Sequence, residues 1–295
     1  MLKAKCGRRG FTLIELSIVL VIIGLIAGGV LVGQDLITAA TVRAQVTQIE
    51  RYNTAVRTFQ GKYNRELPGD MIASAATQFG FPAGNGTKGQ GDGNGYVDGC
   101  QSGVPNAVNW YWFGCENALF WADLGQAGLI DGNFSADAAF TGGNGGASIL
   151  PPPLPKYLPP AKVGGGAYVM VVSNYAAGNG GVPITARANN YFTVYSLLSI
   201  DGAGGGNFYE SGPFPISIQS AYNIDKKIDD GLPMSGSVQA FNYGNGGLYA
   251  PEWFWVGDAF VPPPICVTIS GGAAVNTYNL NSTSSPNCAL AFAFQ

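Results

Sequence analysis

The sequence predicts an α+β chain in which one long N-terminal helix leads into a head built on antiparallel strands. Three observations carry this. Residues 11–33 hold a single charge, Glu15, in an otherwise apolar or small-residue run. Over residues 42–59 apolar side chains recur at helical steps. Beyond Pro68, short apolar runs alternate with Gly/Asn/Ser clusters in a chain with 44 Gly and 18 Pro, a composition suited to turns and strands. At 295 residues and 46% hydrophobic content, the chain has enough apolar side chains to bury a core.

The first ten residues, MLKAKCGRRG, carry four cations: Lys3, Lys5, Arg8 and Arg9. The other 11 Lys and Arg stand against 18 Asp and Glu, leaving the rest of the chain formally at −7. With no cation cluster outside this leader, the sequence argues against a nucleic-acid partner. A bilayer crossing needs about 20 apolar residues as helix, and residues 11–33 supply them. Cations ahead of the span predict a cytoplasmic N-terminus and an exported body. A secretory signal has an apolar region of about 7–15 residues ending at a small-residue cleavage site. Here the run starts directly after Gly10 and continues into a helix that reads as retained. A plain membrane anchor leaves Glu15 unexplained. A carboxylate inside the membrane costs about 2.5–3.5 kcal/mol on insertion scales, and such groups are usually partnered and functional.

The basic leader ending in Gly10, followed by Phe11 and by Thr12-Leu13-Ile14-Glu15 at the head of the apolar run, resembles the amino terminus of the type IV prepilin family, which includes the type II secretion pseudopilins. The resemblance implies a pilin-like fold and cleavage between Gly10 and Phe11 by prepilin peptidase, with N-methylation of Phe11. It also implies that Glu15 pairs with the amine of Phe11 in a neighbouring subunit. Docking the two removes the cost of an unpaired carboxylate and an unpaired ammonium in lipid, and fixes axial register. The implied partners are membrane lipid before assembly, an inner-membrane assembly platform, and other copies of this chain or related pilins. The implied location is the inner membrane with a periplasmic head, then an extracellular or periplasmic filament. One departure is that many pilins carry a proline inside this helix. Here Gly24, Gly28, Gly29 and Gly33 take its place as weak or close-packing points.

Past the span, Val42, Val46, Ile49, Val56 and Phe59 form an amphipathic stripe interleaved with Arg43, Gln45, Gln48, Glu50 and Arg51. Gly61 and then Leu67-Pro68-Gly69 are the stop signals. Fifty or so helical residues at about 1.5 Å each make a rod of about 75 Å. The predicted organisation is a removed leader (1–10), a transmembrane and filament-core helix (11–33), an amphipathic helix packed on the head (34–61) and an extracytoplasmic head (62–295).

The chain has no histidine, which excludes Ser-His-Asp triads, Cys-His dyads and His-ligated zinc. Of the five cysteines, Cys6 lies in the leader and the rest form two sequence-local pairs, Cys100/Cys115 and Cys266/Cys288. Four cysteines allow three connectivities. The local one is simplest, each bridge closing a loop and contributing about 3 kcal/mol in the loop-entropy model. Metal ligation lacks any C-x-x-C spacing, so the cysteines indicate an oxidising compartment.

In the head, residues 83–99 form a Gly/Asn/Asp loop without the G-x-x-x-x-G-K-[ST] pattern of a phosphate cradle. Counting Gln90 as position 1, Asp92, Asn94, Tyr96 and Asp98 fall at positions 3, 5, 7 and 9 of a Ca²⁺ loop, with Gly95 at the sharp turn. Position 1 is not acidic and position 12 is Gln101, so the rival reading is a solvated turn cluster. Residues 116–127 predict a short helix stopped by Gly128. The proline-rich residues 151–164 predict an extended polyproline II connection on the surface. Strands are expected over 167–172, 191–198, 238–243, 266–270 and 289–294. In residues 220–236, Asp225 and Asp229 sit at i,i+4, able to hold a cation or perform acid/base work, or simply to end a solvated helix. Outside the Gly/Asn/Asp loop, Asn133-Phe134-Ser135 and Asn281-Ser282-Thr283 are N-glycosylation acceptor triplets, and Asp131 stands two residues before the first, as the stricter bacterial acceptor pattern requires.

The functional expectation is a structural filament subunit, not an enzyme, with a type II secretion pseudopilin or a minor tip pilin as variants. The competing class is a membrane-anchored carbohydrate-binding or hydrolytic module, with Trp110, Tyr111, Trp112, Trp253 and Trp255 lining a groove in place of filling the core.

Overall fold

The computed structural model describes residues 11–81, 91–97, 112–113, 116–135, 154–173, 189–196, 199–201, 206–209, 216–244, 247–249, 266–270, 273–281 and 288–294. The chain divides into two compact units, with the boundary between Thr41 and Val42.

The first unit is the N-terminal part of helix α1 (Leu13–Lys62). Its apolar side chains, from Leu13 to Ile37, are all exposed. An 18-residue window of α1 has a mean hydropathy of 2.7 with none of it buried. Among the described residues α1 is the one helix long and apolar enough to cross a membrane.

In the second unit, burial on α1 begins at Val42 and continues through Ile49, Val56 and Phe59, the stripe expected from spacing, with Val46 half-buried. Gln45 and Gln48, expected among the polar interleaving, are buried as well. The Gln45 Oε1 accepts from the Lys162 N–H at 2.8 Å and the Val163 N–H at 3.2 Å. The Gln48 Nε2 donates to the Pro160 carbonyl at 2.8 Å and to the Tyr52 hydroxyl at 3.0 Å. Side-chain amides enter a core when bonded in this way. The same bonds correct the polyproline II expectation. Leu154–Lys156 is a 3₁₀ turn, Leu154, Tyr157 and Leu158 are buried, and the Val169 N–H donates to the Pro159 carbonyl. The described part of this segment is therefore packed between α1 and a strand edge, and is not a surface connector; residues 151–153 lie outside the described residues. The helix runs one residue past Gly61, and the chain then turns through positive φ at Asn64 and Arg65.

Helix α2 (Ala73–Phe79) follows, then strand β1 (Trp112–Phe113), helix α3 (Glu116–Gln126), strands β2 (Ala167–Ser173), β3 (Asn190–Ser196), β4 (Ser199–Asp201) and β5 (Gly206–Tyr209), helix α4 (Ile218–Ile228), and strands β6 (Val238–Gly244), β7 (Gly247–Tyr249), β8 (Val267–Ser270), β9 (Ala273–Tyr278) and β10 (Ala289–Phe294). The five expected strands are present as β2, β3, β6, β8 and β10, while β1, β4, β5, β7 and β9 and the helix α2 were not foreseen. The main sheet is antiparallel in the order β2-β3-β10-β6-β7, beside a three-stranded sheet β1-β5-β4 and a hairpin β8-β9.

The main sheet, α3 and the second half of α1 share one core. Phe192 of β3 stacks on Phe294 of β10 with ring centroids 4.1 Å apart, and Trp121 of α3 meets Tyr52 of α1 edge-on at 4.8 Å. Such pairs add to the burial of large rings. The ENALFWADLGQ helix is almost wholly buried from Glu116 to Leu124, which is why its aromatics fill the core. Cys266 and Cys288 form a disulfide with Cα atoms 5.2 Å apart, tying the start of β8 to the start of β10.

Candidate functional site

The N-terminus of α1 is organised by Thr12 and Glu15. Thr12 Oγ1 accepts from the Glu15 N–H at 3.3 Å, and Glu15 Oε2 accepts from the Thr12 N–H at 2.8 Å and from its hydroxyl at 2.8 Å. This reciprocal pair is a capping box, which satisfies amide donors that the first turn of a helix leaves open. The T-x-x-E spacing at Thr12 and Glu15 is the signal for it, and reading Glu15 as an intersubunit group alone passed over this local role. A carboxylate has about four acceptor positions, so the box leaves room for a further donor. Phe11, next to the box, is 91% exposed. Gly10 and the leader lie outside the described residues.

The Gly/Asn/Asp loop wraps a carboxylate that local spacing did not single out, Asp70 of the Leu67-Pro68-Gly69-Asp70 turn. Asp70 accepts from the Gly93 N–H at 2.9 Å and the Gly95 N–H at 2.7 Å. Asp92 bonds the Asn94 N–H at 3.0 Å, and Asn94 Oδ1 accepts from the Tyr96 N–H at 2.7 Å. Asn190 of β3 anchors the loop by accepting from the Val97 N–H and donating to the Gly95 carbonyl. Carboxylate oxygens of Asp70, Asp92 and Glu116 come within 4.8 Å of one another. Of the four residues expected to line a Ca²⁺ loop, Asp92 belongs to this cluster, Asn94 and Tyr96 are tied to it in sequence through the Asn94 N–H on Asp92 and the Tyr96 N–H on Asn94, and Asp98 lies outside the described residues. Burial raises the Asp70 carboxyl to about 7 despite the N–H bonds of Gly95 and Gly93, with the charge of Asp92 adding to the rise. Three convergent carboxylates are a donor set suited to a hard divalent cation.

Asp123 of α3 lies beneath this turn. It is buried and accepts from the Gly69 N–H at 2.8 Å, and desolvation raises it to about 7. Asp225 at the end of α4 is buried too, accepting from the Tyr278 hydroxyl at 2.8 Å and the Gly231 N–H at 3.1 Å; desolvation raises it to about 6. Asp229 accepts from the Ser237 and Val238 N–H groups, and Asp230 from the Leu232 N–H and the Ser235 hydroxyl. These three acids shape the turn from α4 into β6.

A groove of about 1060 Å³ runs beside α1, lined by Arg43, Thr47 and Arg51 on the helix, by Ile130, Asp131, Gly132 and Phe134, and by Pro159, Pro160 and Lys162. Tyr52 of α1 also borders the groove and is buried, at 8% exposure. Trp112 falls in β1, and Trp110, Tyr111, Trp253 and Trp255 lie outside the described residues, as do Cys100 and Cys115.

Residues 5–31 match the family model of the prokaryotic N-terminal methylation motif. That motif is the type IV prepilin signature, and the chain carries it across the leader and the first turns of α1. The α+β fold, a long N-terminal helix followed by a head with an antiparallel sheet, is consistent with the pilin fold. No curated protein and no solved structure matches the chain.

Proposed function

We propose that the chain is a structural subunit of a type IV pilus-like filament, cut by prepilin peptidase between Gly10 and Phe11 and polymerised through its N-terminal helix. The observation that carries this is the methylation motif over residues 5–31, with Glu15 as the one carboxylate in the apolar run. In this reading residues 1–10 are removed, 11–33 sit in the inner membrane and later in the filament core, 34–61 continue the helix, and 62–295 form the periplasmic or surface head. An assembly platform lifts the subunit from the lipid, and Glu15 pairs with the methylated amine of Phe11 on a neighbouring copy. The capping box supports that pairing because it already orients the carboxylate at the helix start, beside Phe11. Cys100 and Cys115 form the second bridge of the head.

Mass spectrometry of the mature N-terminus and negative-stain imaging of sheared material test the reading. The expected result is a methylated Phe11 start in filaments. Glu15→Ala is expected to leave processing intact and reduce filament yield at least tenfold; normal filaments from this variant would exclude the registry role. Whether this chain is the bulk component of the sheared filaments separates a major pilin from a minor pilin or a pseudopilin.

A calcium-class ion belongs to the same proposal, held by Asp92 together with Asp70 and Glu116 and completed by the loop of Asn94, Tyr96 and Asp98. The convergence of the three carboxylates supports it. Millimolar Ca²⁺ is expected to raise the melting temperature of the head by several degrees, and chelation to reverse this; a melting curve indifferent to both excludes the ion.

A further inference from the structure

Five residues after α3, the chain passes through Asp131-Gly132-Asn133-Phe134-Ser135. The segment is pinned at both ends. At one end the Leu129 N–H donates to the Leu124 carbonyl at 3.0 Å, and at the other the Ser135 N–H donates to the Lys156 carbonyl at 2.9 Å. Between these pins Phe134 turns inward, its ring 6.2 Å from that of Trp121 and folded against Gly132, where an added Cβ would meet the ring at 2.9 Å. Asp131, Gly132 and Asn133 are thereby lifted into an exposed arch without helix or strand hydrogen bonding. Ile130, Asp131, Gly132 and Phe134 line the groove beside α1, and Asn133 does not, so its amide is not drawn into that wall.

We propose that Asn133 is an N-glycosylation site, its donor a polyprenyl-pyrophosphate-linked oligosaccharide. Three independent features converge on it. The triplet Asn133-Phe134-Ser135 has a non-proline middle residue and a hydroxyl third residue. An exposed carboxylate, Asp131, stands two residues ahead, where a transferase cation can bind it. The arch belongs to a folded head yet is free of regular structure, so an extracytoplasmic transferase can take it up without unfolding α3. A second triplet outside the Gly/Asn/Asp loop is a control within the same chain: Asn281 is also exposed in a turn, but Asn279 occupies the position two residues before it. In the transfer, the Asn133 Nδ2 attacks the anomeric carbon and a C–N bond forms. The bond from that carbon to the pyrophosphate oxygen breaks, the lipid pyrophosphate leaves with the electron pair, and the Nδ2 proton passes to a transferase carboxylate. An N-linked glycan of this kind marks an exposed surface.

The inference rests on export of the head, and one experiment reads the two separately. The full chain is purified from the membranes and filaments of its own cells and digested, and the peptides spanning 131–135, 279–283 and the mature start are analysed by mass spectrometry. The expected result is a saccharide mass on Asn133, none on Asn281, and at least tenfold lower occupancy at Asn133 in the Asp131→Ala variant at unchanged chain level. An unmodified Asn133 peptide overturns the site whatever the start of the chain. Equal occupancy in Asp131→Ala, or on Asn281, overturns the role of the preceding carboxylate. An unprocessed start counts against the filament reading and leaves the glycan result standing.

Discussion

Gly69→Ala is expected to destabilise the head by about 3–5 kcal/mol, among the largest effects of any single substitution. Gly69 has φ +80°, a left-handed conformation that carries a cost for any side chain. The space is closed as well: an added Cβ would lie inside contact distance of the Glu116 carbonyl oxygen and 3.0 Å from the Phe120 nitrogen. Both are backbone atoms of α3, which cannot swing aside as a flexible side chain would. Relief requires the turn to lift, which breaks the Gly69 N–H to Asp123 bond and strands a buried carboxylate. Gly91 is a second close approach, its added Cβ meeting the backbone of Asp70. Urea unfolding of the chain in detergent, followed by near-UV circular dichroism, checks this. A change below about 1 kcal/mol would mean that the turn repacks freely.

The head is expected to lose stability as pH rises from about 4 to about 7, the reverse of a protein held by salt-bridged carboxylates. Asp123 is raised to about 7 and Asp225 to about 6, each chiefly by desolvation, from an ordinary value near 3.8. Below pH 4 these groups are protonated in both folded and unfolded chains, and their contribution does not vary. Between about 4 and their folded values, the unfolded chain has released the proton and the folded chain has kept it. Folded protein then binds more protons, so stability falls with pH, by roughly 1 kcal/mol per unit for each fully buried group. Above about 7 both states are ionised and the slope ends with the penalty complete. Asp225 also faces the Tyr278 hydroxyl and the charges of Asp229 and Asp230, and those two charges add to its rise. Asp123→Asn retains an acceptor for the Gly69 N–H and carries no charge. It is expected to match the parent at pH 4.5 and melt higher at pH 8; equal melting at both would locate the titration elsewhere.

Much of the architecture was legible because it is local. The stripe of Val42, Ile49, Val56 and Phe59 follows from side-chain period, and the charge-poor run ahead of Gln34 and the strand at Ala289–Phe294 follow from unbroken apolar runs. The buried glutamines escaped for the opposite reason. Gln45 and Gln48 are core residues only because Pro160, Lys162 and Val163, more than a hundred positions away, supply their partners. Asp70 was missed in the same way, as its significance comes from Gly93 and Gly95 across an intervening helix. The proline-rich segment misled because composition reports backbone preference, whereas Leu154, Tyr157 and Leu158 carry the burial.

The position of β10 has a consequence for the order of events in the cell. β10 is translated after β2, β3 and β6, yet it lies between β3 and β6, pairing Phe292 with Phe192 on one side and with Val238 on the other. The sheet has no centre until residues 289–294 have been synthesised. Long-range pairing of this kind closes late and slowly. Until then the nascent head is two unjoined half-sheets with open edges, a state prone to sticking and to proteolysis.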